Sequence, residues 1–234
     1  MKIITIYCKI NIINKRGHFI SVPICPTRPN LPGRGEKNME ISETKTSEKA
    51  DQIILVVGNK LTFFTKEKGN WIKQVETDCE YGKNGFSKNR HSGDNTTPIG
   101  VFPLLYAFGT EKNVNTKMEY RQITENSYFS DDEEKLEEYN SWIESTIPIK
   151  GEHLIEYPKE YHYAIVIGFN INPKIKGRGS SIFLHCKGEK NYTSGCIAIN
   201  KESMIYLLEK IKKGAIIVIV PDEESIENLI KGSK

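Results

Sequence analysis

The alternation of apolar and polar positions changes texture near residue 50. From Asp51 onward, QIILVV and KLTFFT are short runs rich in β-branched and aromatic residues, joined by Gly58-Asn59, the composition of a two-residue hairpin turn. WIKQVET (residues 71–77), after the turn Lys68-Gly69-Asn70, reads as a third strand, so this part is a β-meander. A Gly- and Asn-rich loop follows over 79–95. YHYAIVIGF (161–169) and SSIFLHC (180–186) are apolar runs bounded by Gly, Asn and Pro, the pattern of central, buried strands. AIIVIV (215–220), closed by Pro221, is the last strand. Two helices are expected. Over 131–144 (DDEEKLEEYNSWIE) the acidic first turn suits the positive end of a helix dipole, and Leu136, Tyr139 or Asn140, and Ile143 share one face. Asn200 can cap a second helix, with Met204, Ile205, Leu208 and Ile211 as its apolar stripe and Lys210, Lys212, Lys213 and Gly214 as its stop.

The chain before residue 51 has a different character. Residues 3–13 are partly apolar but are interrupted by Lys9 and Asn11, which is not the pattern of a secretory signal. Tyr7 before Cys8 and Ile24 before Cys25 are too bulky for a lipid-attachment site. Residues 23–50 are rich in Pro and Gly and then polar, as in a linker. The division is therefore a tail or linker over 1–50, a folded domain over 51–222, and a short tail over 223–234, in which a marginal helix is expected. Over the 234 residues, 38% hydrophobic and 27% charged positions supply enough apolar material for one packed domain. The net charge of +3 is spread rather than striped, which argues against nucleic acid as a partner. No run approaches the roughly 18 apolar residues of a membrane-spanning helix. Five widely spread cysteines do not make a disulfide scaffold, and an odd count leaves a thiol free.

The chemistry gathers in SSIFLHCKGEKNYTSGCIAIN (180–200), where a strand ending in His185 is followed by a Gly-containing loop that returns to Thr193-Ser194-Gly195-Cys196 ahead of the helix. A cysteine attacks as thiolate, and an adjacent imidazole that accepts its proton is the usual way to activate it near neutral pH. The reading is Cys196 as nucleophile and His185 as general base, with backbone amides around Ser194 and Gly195 as oxyanion donors. Cys186, next to His185, points to the opposite face of the strand and is read as core. His153 and His162 are read as support. Zinc held by Cys79, His185, Cys186 and Cys196 is disfavoured because paired metal-ligand spacing is missing, so neither metal nor cofactor is expected.

At these residues the chain resembles the L,D-transpeptidase catalytic-domain (YkuD-like) family, whose motif is a strand histidine followed by Ser/Thr-x-Gly-Cys. The resemblance extends to GDNTTPIGVF from Gly93, to Gly151-Glu152-His153-Leu154 and to YAIVI from Tyr163, and so covers 51–221. It implies a mainly β (α+β) fold, a sandwich or barrel with a helix after the cysteine. It also implies a cysteine acyl-enzyme acting on peptidoglycan stem tetrapeptides, at the bond between the L-centre of a diamino acid and a D-amino acid. Location in the cell envelope or outside the cell, a role in cell shape, and acylation of Cys196 by carbapenems follow from the same resemblance. A backbone carbonyl near Cys186 or Lys187 would complete the triad. Where many members carry Arg or Asn two positions after the cysteine, this chain has Ala198, so that carboxylate contact is not carried over. Candidate substrate-binding residues are Arg121, His91, Thr193 and Tyr192. Two alternatives stay open: a cysteine carboxypeptidase or amidase that hydrolyses the same bond, and a non-catalytic cell-wall binding module.

Overall fold

The computed structural model describes residues 50–226 and the backbone of two short paired strands, Asn11–Ile13 and Phe19–Ser21. The expectations for a signal, a lipid site and a linker otherwise fall outside the described residues. Nine strands form one sheet: β1 (Gln52–Val57), β2 (Lys60–Glu67), β3 (Asn70–Glu80), β4 (Gly100–Gly109), β5 (Ala164–Ile167), β6 (Phe183–Cys186), β7 (Ile197–Ile199), β8 (Ile216–Val220) and the short strand Tyr120–Gln122. Their order is β5-β6-β7-β3-β2-β1-β8-β4 with Tyr120–Gln122 beside β4, and β4 also pairs back onto β5, so the sheet closes like a barrel. The β6/β7 and β8/β1 pairs and the pairing of β4 with Tyr120–Gln122 are parallel, and the others antiparallel. Closure leaves few strand edges open, which suits a domain this rich in β-branched residues. The mainly β expectation is met.

The period of two decides which side chains enter the core. Ile54 and Val56 of β1, Leu61 and Phe63 of β2, Leu184 and Cys186 of β6, Ile197 and Ile199 of β7, and Ile217 and Ile219 of β8 belong to one buried cluster. Each large aliphatic side chain so buried contributes about 1.5–3 kcal/mol before entropy is counted. The α-helix α1 (Lys201–Lys210) is capped as expected, Asn200 Oδ1 accepting from Ser203 N at 2.7 Å. Its buried stripe is Met204, Leu207 and Leu208, with Ile211 following, whereas Ile205 is exposed. A spacing of three, four and seven residues from Met204 keeps the stripe on one side, and Ile205 falls off its edge. A three-stranded sheet, Trp142–Glu144, Ser127–Ser130 and Gly151–His153, flanks the barrel. A second cluster, with Phe108, Phe129, Leu154, Tyr161 and Phe183, joins it there.

Two expectations need correction. Strand β3 continues to Glu80 and takes Cys79 into the core, so the loop begins later than residue 79. Residues 131–140 form successive turns rather than a helix, and Trp142–Glu144 is a strand. Asn140 is responsible: it adopts a left-handed φ of 53°, is buried, and donates from its amide to Phe169 O and Asn170 O, both at 2.9 Å. Its Oδ1 accepts from Ser181 N at 3.0 Å. Three long-range hydrogen bonds outweigh the small helical preference of a surface segment. The C-terminal expectation is met as far as Ile226, where residues 223–226 form a helical turn capped by Asp222, whose Oδ1 accepts from Ser225 N.

Candidate active site

Strand parity brings the two predicted reactive residues to one face. In β6, Leu184 and Cys186 enter the core, so Phe183 and His185 face the other way; in β7, Ile197 and Ile199 enter the core, so Ala198 and the preceding Cys196 share the outward face. The parallel register sets His185 opposite Ala198. Cys196 therefore lies one diagonal step from His185, about 8 Å between Cα atoms by ordinary strand spacing. Both residues line a cleft of about 870 Å³, with Arg90, Glu152, Tyr161, Ser181, Tyr192, Thr193 and Ser194 also in its wall. That size suits a peptide-sized ligand.

His185 is 6% exposed, and its Nδ1 lies 2.7 Å from Cys186 O. A carbonyl only accepts, so the proton sits on Nδ1 and Nε2 keeps its lone pair. The carbonyl expected near Cys186 or Lys187 is thus that of Cys186. Burial lowers the pKa of His185, against the raising effect of that hydrogen bond, so the ring is neutral at pH 7. Cys196 is half-buried; its thiol donates to Ser181 O at 3.3 Å and accepts from Phe183 N at 3.3 Å. Burial, then the nearby Glu152 carboxyl, pushes its pKa up to about 12, while the Phe183 amide and Arg90 pull the other way. At rest the pair is thiol plus neutral imidazole. Cys79 and Cys186 are buried free thiols, raised by burial to about 12 and about 11, and both belong to the core cluster.

The loop before the cysteine is held by hydroxyls. Thr193 Oγ1 donates to Cys196 O at 2.7 Å and accepts from Gly195 N at 3.1 Å, while Thr97 Oγ1 donates to Gly195 O at 2.9 Å and accepts from Gly82 N at 2.8 Å. Gly195 has φ of +143°, and a Cβ there would lie 2.9 Å from Thr96 O and 3.2 Å from Arg90 Nη1, so no other residue fits without strain. The Gly195 amide, expected as an oxyanion donor, is engaged by Thr193, and Thr193 itself shapes the loop. Ser194 is exposed in the cleft. Tyr192 is 37% exposed in the cleft, with Lys83 and Lys190 over its ring.

Two candidates are not brought to this place. Arg121 is bound to Glu119 at 2.8 Å and stacks on Tyr106 at 3.9 Å, outside the cleft wall. The His91 side chain is 74% exposed and faces Asp94 at 3.5 Å; its neighbour Arg90 is the residue that turns into the cleft. His153 stacks on Tyr128, and His162 contacts Glu111, both as support.

Sequence reasoning missed three wall residues. Glu152 accepts from the buried Tyr161 hydroxyl at 2.5 Å, and burial raises its pKa to about 7. Tyr161 in turn meets the His185 ring edge-on at 5.7 Å between centroids. Arg90 is 5% exposed. Glu152 sits inside a segment that carries the family resemblance, which was the available signal; nothing local distinguishes Arg90 or Tyr161.

Among solved structures, similarity extends to Bdellovibrio bacteriovorus Bd1075, at 15% identity over 81% of this chain and 56% of that one, TM-score 0.42. The helical cell shape determining protein Pgp2 of Campylobacter jejuni matches at 14% identity over 75% and 49%, TM-score 0.47. A mutant Enterococcus faecium L,D-transpeptidase matches at 14% over 73% and 50%, TM-score 0.38. The chain thus spans about half the length of these proteins. No curated protein matches it. The model of the L,D-transpeptidase catalytic domain (YkuD) matches residues 51–219, nearly the whole described domain. The chain belongs to the L,D-transpeptidase catalytic domain family.

Proposed function

We propose that this protein is a peptidoglycan L,D-transpeptidase that works through a thioester on Cys196, with stem tetrapeptides as acyl donors and the cell envelope as its place of action. The observation that carries the reading is the 2.7 Å contact of His185 Nδ1 with Cys186 O, which assigns the ring proton to Nδ1. With Nδ1–H given to Cys186 O, Nε2 is a free base on the face that Cys196 occupies. In the reaction the thiol leaves Ser181 O and passes its proton to Nε2, and sulfur adds to the donor carbonyl. The tetrahedral oxyanion is met by the Ser194 and Cys196 amides, the Gly195 amide being given to Thr193. Collapse breaks the C–N bond, the imidazolium returns its proton to the departing D-amino acid amine, and a thioester remains. An incoming amine, deprotonated by the same imidazole, then takes the acyl group.

The charge of the cleft supports a stem peptide with a free amine. Glu80, Asp131, Glu152, Glu156, Glu160 and Glu189 line it, against Arg90, Lys159 and Lys190. Intact-mass spectrometry with a disaccharide-tetrapeptide, with and without an added D-amino acid or second stem, tests the proposal. The expected result is a transient adduct on the wild type, absent from Cys196→Ala, that resolves to an exchanged or cross-linked product. A tripeptide formed with no amine product makes the protein a hydrolase. No adduct and no turnover, with binding retained in Cys196→Ala, makes it a binding module.

A further inference from the structure

A buried charge beside the nucleophile's turn takes no part in the acyl transfer above. The side chain of Arg90 is 4% exposed, yet its Nε and Nη1 have no hydrogen-bond partner among the described residues. Its neighbour Asp94 stands 3.8 Å from Nε, and both carboxylate oxygens are already occupied, Oδ1 by Thr96 N and Oγ1 and Oδ2 by His91 N, each at 2.8 Å. Phe169 offers a ring face at 5.5 Å, which screens the charge but accepts no N–H. Burial correspondingly lowers the pKa of this guanidinium. A buried, hydrogen-bond-poor guanidinium is costly, and such groups in clefts are those that a ligand completes.

The surroundings favour an anion with two oxygens. Arg90 lines the cleft, and its Nη1 would lie 3.2 Å from a Cβ on Gly195, directly before the nucleophile; Nη2 stands in the same relation, 3.1 Å, to Gly179. The two glycines, having no Cβ, let the fork lie close against the backbone beside the nucleophile's turn. A guanidinium fork matches a carboxylate through two parallel N–H···O bonds. The other cations of the wall, Lys159 and Lys190, are exposed, and Lys159 is already paired with Glu189. Ala198 supplies no charge of its own.

We infer that Arg90 is the carboxylate anchor of this cleft, so that the donor is selected for a free carboxylate within about one residue of the reacting carbonyl. The inference rests on the peptide-donor reading above. The carboxylate has two sources, the C-terminus of the tetrapeptide and the side chain of a carboxylated diamino residue, and one experiment separates them.

Binding of four tetrapeptides to the full-length Cys196→Ala protein is measured by calorimetry, with either a C-terminal acid or carboxamide, and either lysine or diaminopimelate at the third position. A C-terminal anchor predicts roughly tenfold or greater loss on amidation. A side-chain anchor predicts the same loss on replacing diaminopimelate by lysine. In either case Arg90→Gln in the Cys196→Ala background abolishes the preference, Arg90→Lys retains part of it, and Lys159→Gln and Lys190→Gln keep it. Thermal melts check the Arg90 variants, and the Arg90→Lys arm and the four-peptide comparison in the parent stand if Arg90→Gln fails to fold. Equal binding of all four peptides overturns the anchor, as does a preference that is undiminished in folded Arg90→Gln or folded Arg90→Lys. A carboxylate preference without a thioester in the wild type overturns the acyl-transfer reading alone, and absence of any peptide binding overturns both.

Discussion

On one side of Cys196 the chain holds itself, and on the other it is held from far away. The 193–196 turn is closed by Thr193, whose hydroxyl bridges Gly195 N and Cys196 O, two and three residues further along the chain. The opposite wall, by contrast, depends on Asn140, which gathers Phe169, Asn170 and Ser181 from 29 to 41 residues away. Ser181 then passes the constraint on, since its carbonyl receives the Cys196 thiol. A nucleophile is thus placed by a local turn and oriented by a remote amide. Local hydrogen bonds leave a trace in adjacent letters, whereas remote ones require the fold to be known first.

Breaking the remote side should cost most. Asn140→Ala removes both amide donors and the acceptor, and leaves two carbonyls and one N–H unpaired in a buried place. The expected loss is about 4 kcal/mol, read by urea unfolding, with any residual acylation slowed by the freed Ser181 segment. A loss below about 1 kcal/mol would mean that the wall holds without Asn140.

Next comes the carboxyl that faces both sides. With its pKa raised to about 7, Glu152 makes the folded protein hold a proton that the unfolded chain gives up near the ordinary carboxylate value. Its contribution to stability therefore falls as pH rises from about 4.5 to about 7. Glu152→Gln keeps an acceptor for Tyr161 and should flatten that decline, gaining at most about 3 kcal/mol at pH 8. It should also speed alkylation of Cys196 at pH 8, because a nearby negative charge opposes the thiolate. An unchanged pH profile of both quantities would show that Glu152 is ionised and solvated.

The smallest effect belongs to the local turn. Thr193→Val loses two hydrogen bonds in a half-buried loop that can partly rehydrate, so about 1–2 kcal/mol is expected. Acylation should fall about tenfold as Cys196 loses its fixed approach. If Thr193→Val proved more damaging to stability than Asn140→Ala, the contrast between the two walls would be reversed.

The same contrast explains what could be read from the letters. His185, Cys196 and the helix cap Asn200 lie within sixteen consecutive positions, and strand parity alone sends Cys186 inward and His185 outward. The hairpin at Gly58-Asn59 and the β8 strand were legible for the same reason: their signals are local. Residues 131–140 misled because acidic letters and a three-to-four spacing imitate a helix, while the left-handed Asn140 serves distant carbonyls. Arg90 and His91 show the limit at its sharpest, adjacent residues of similar chemistry of which one is buried in the cleft and the other points away. Only the packing of the 89–97 loop against Gly179 and Gly195 decides between them.

The central claim is that of the three described free thiols, Cys79, Cys186 and Cys196, Cys196 alone is a nucleophile. Incubation of the wild type with a carbapenem, followed by intact mass and peptide mapping, tests it without any assumption about stem composition. The account predicts a single adduct mapped to Cys196, lost in Cys196→Ala and strongly slowed in His185→Gln, with Cys79 and Cys186 unmodified. An adduct on another cysteine, or full-rate modification of Cys196 without His185, would contradict it.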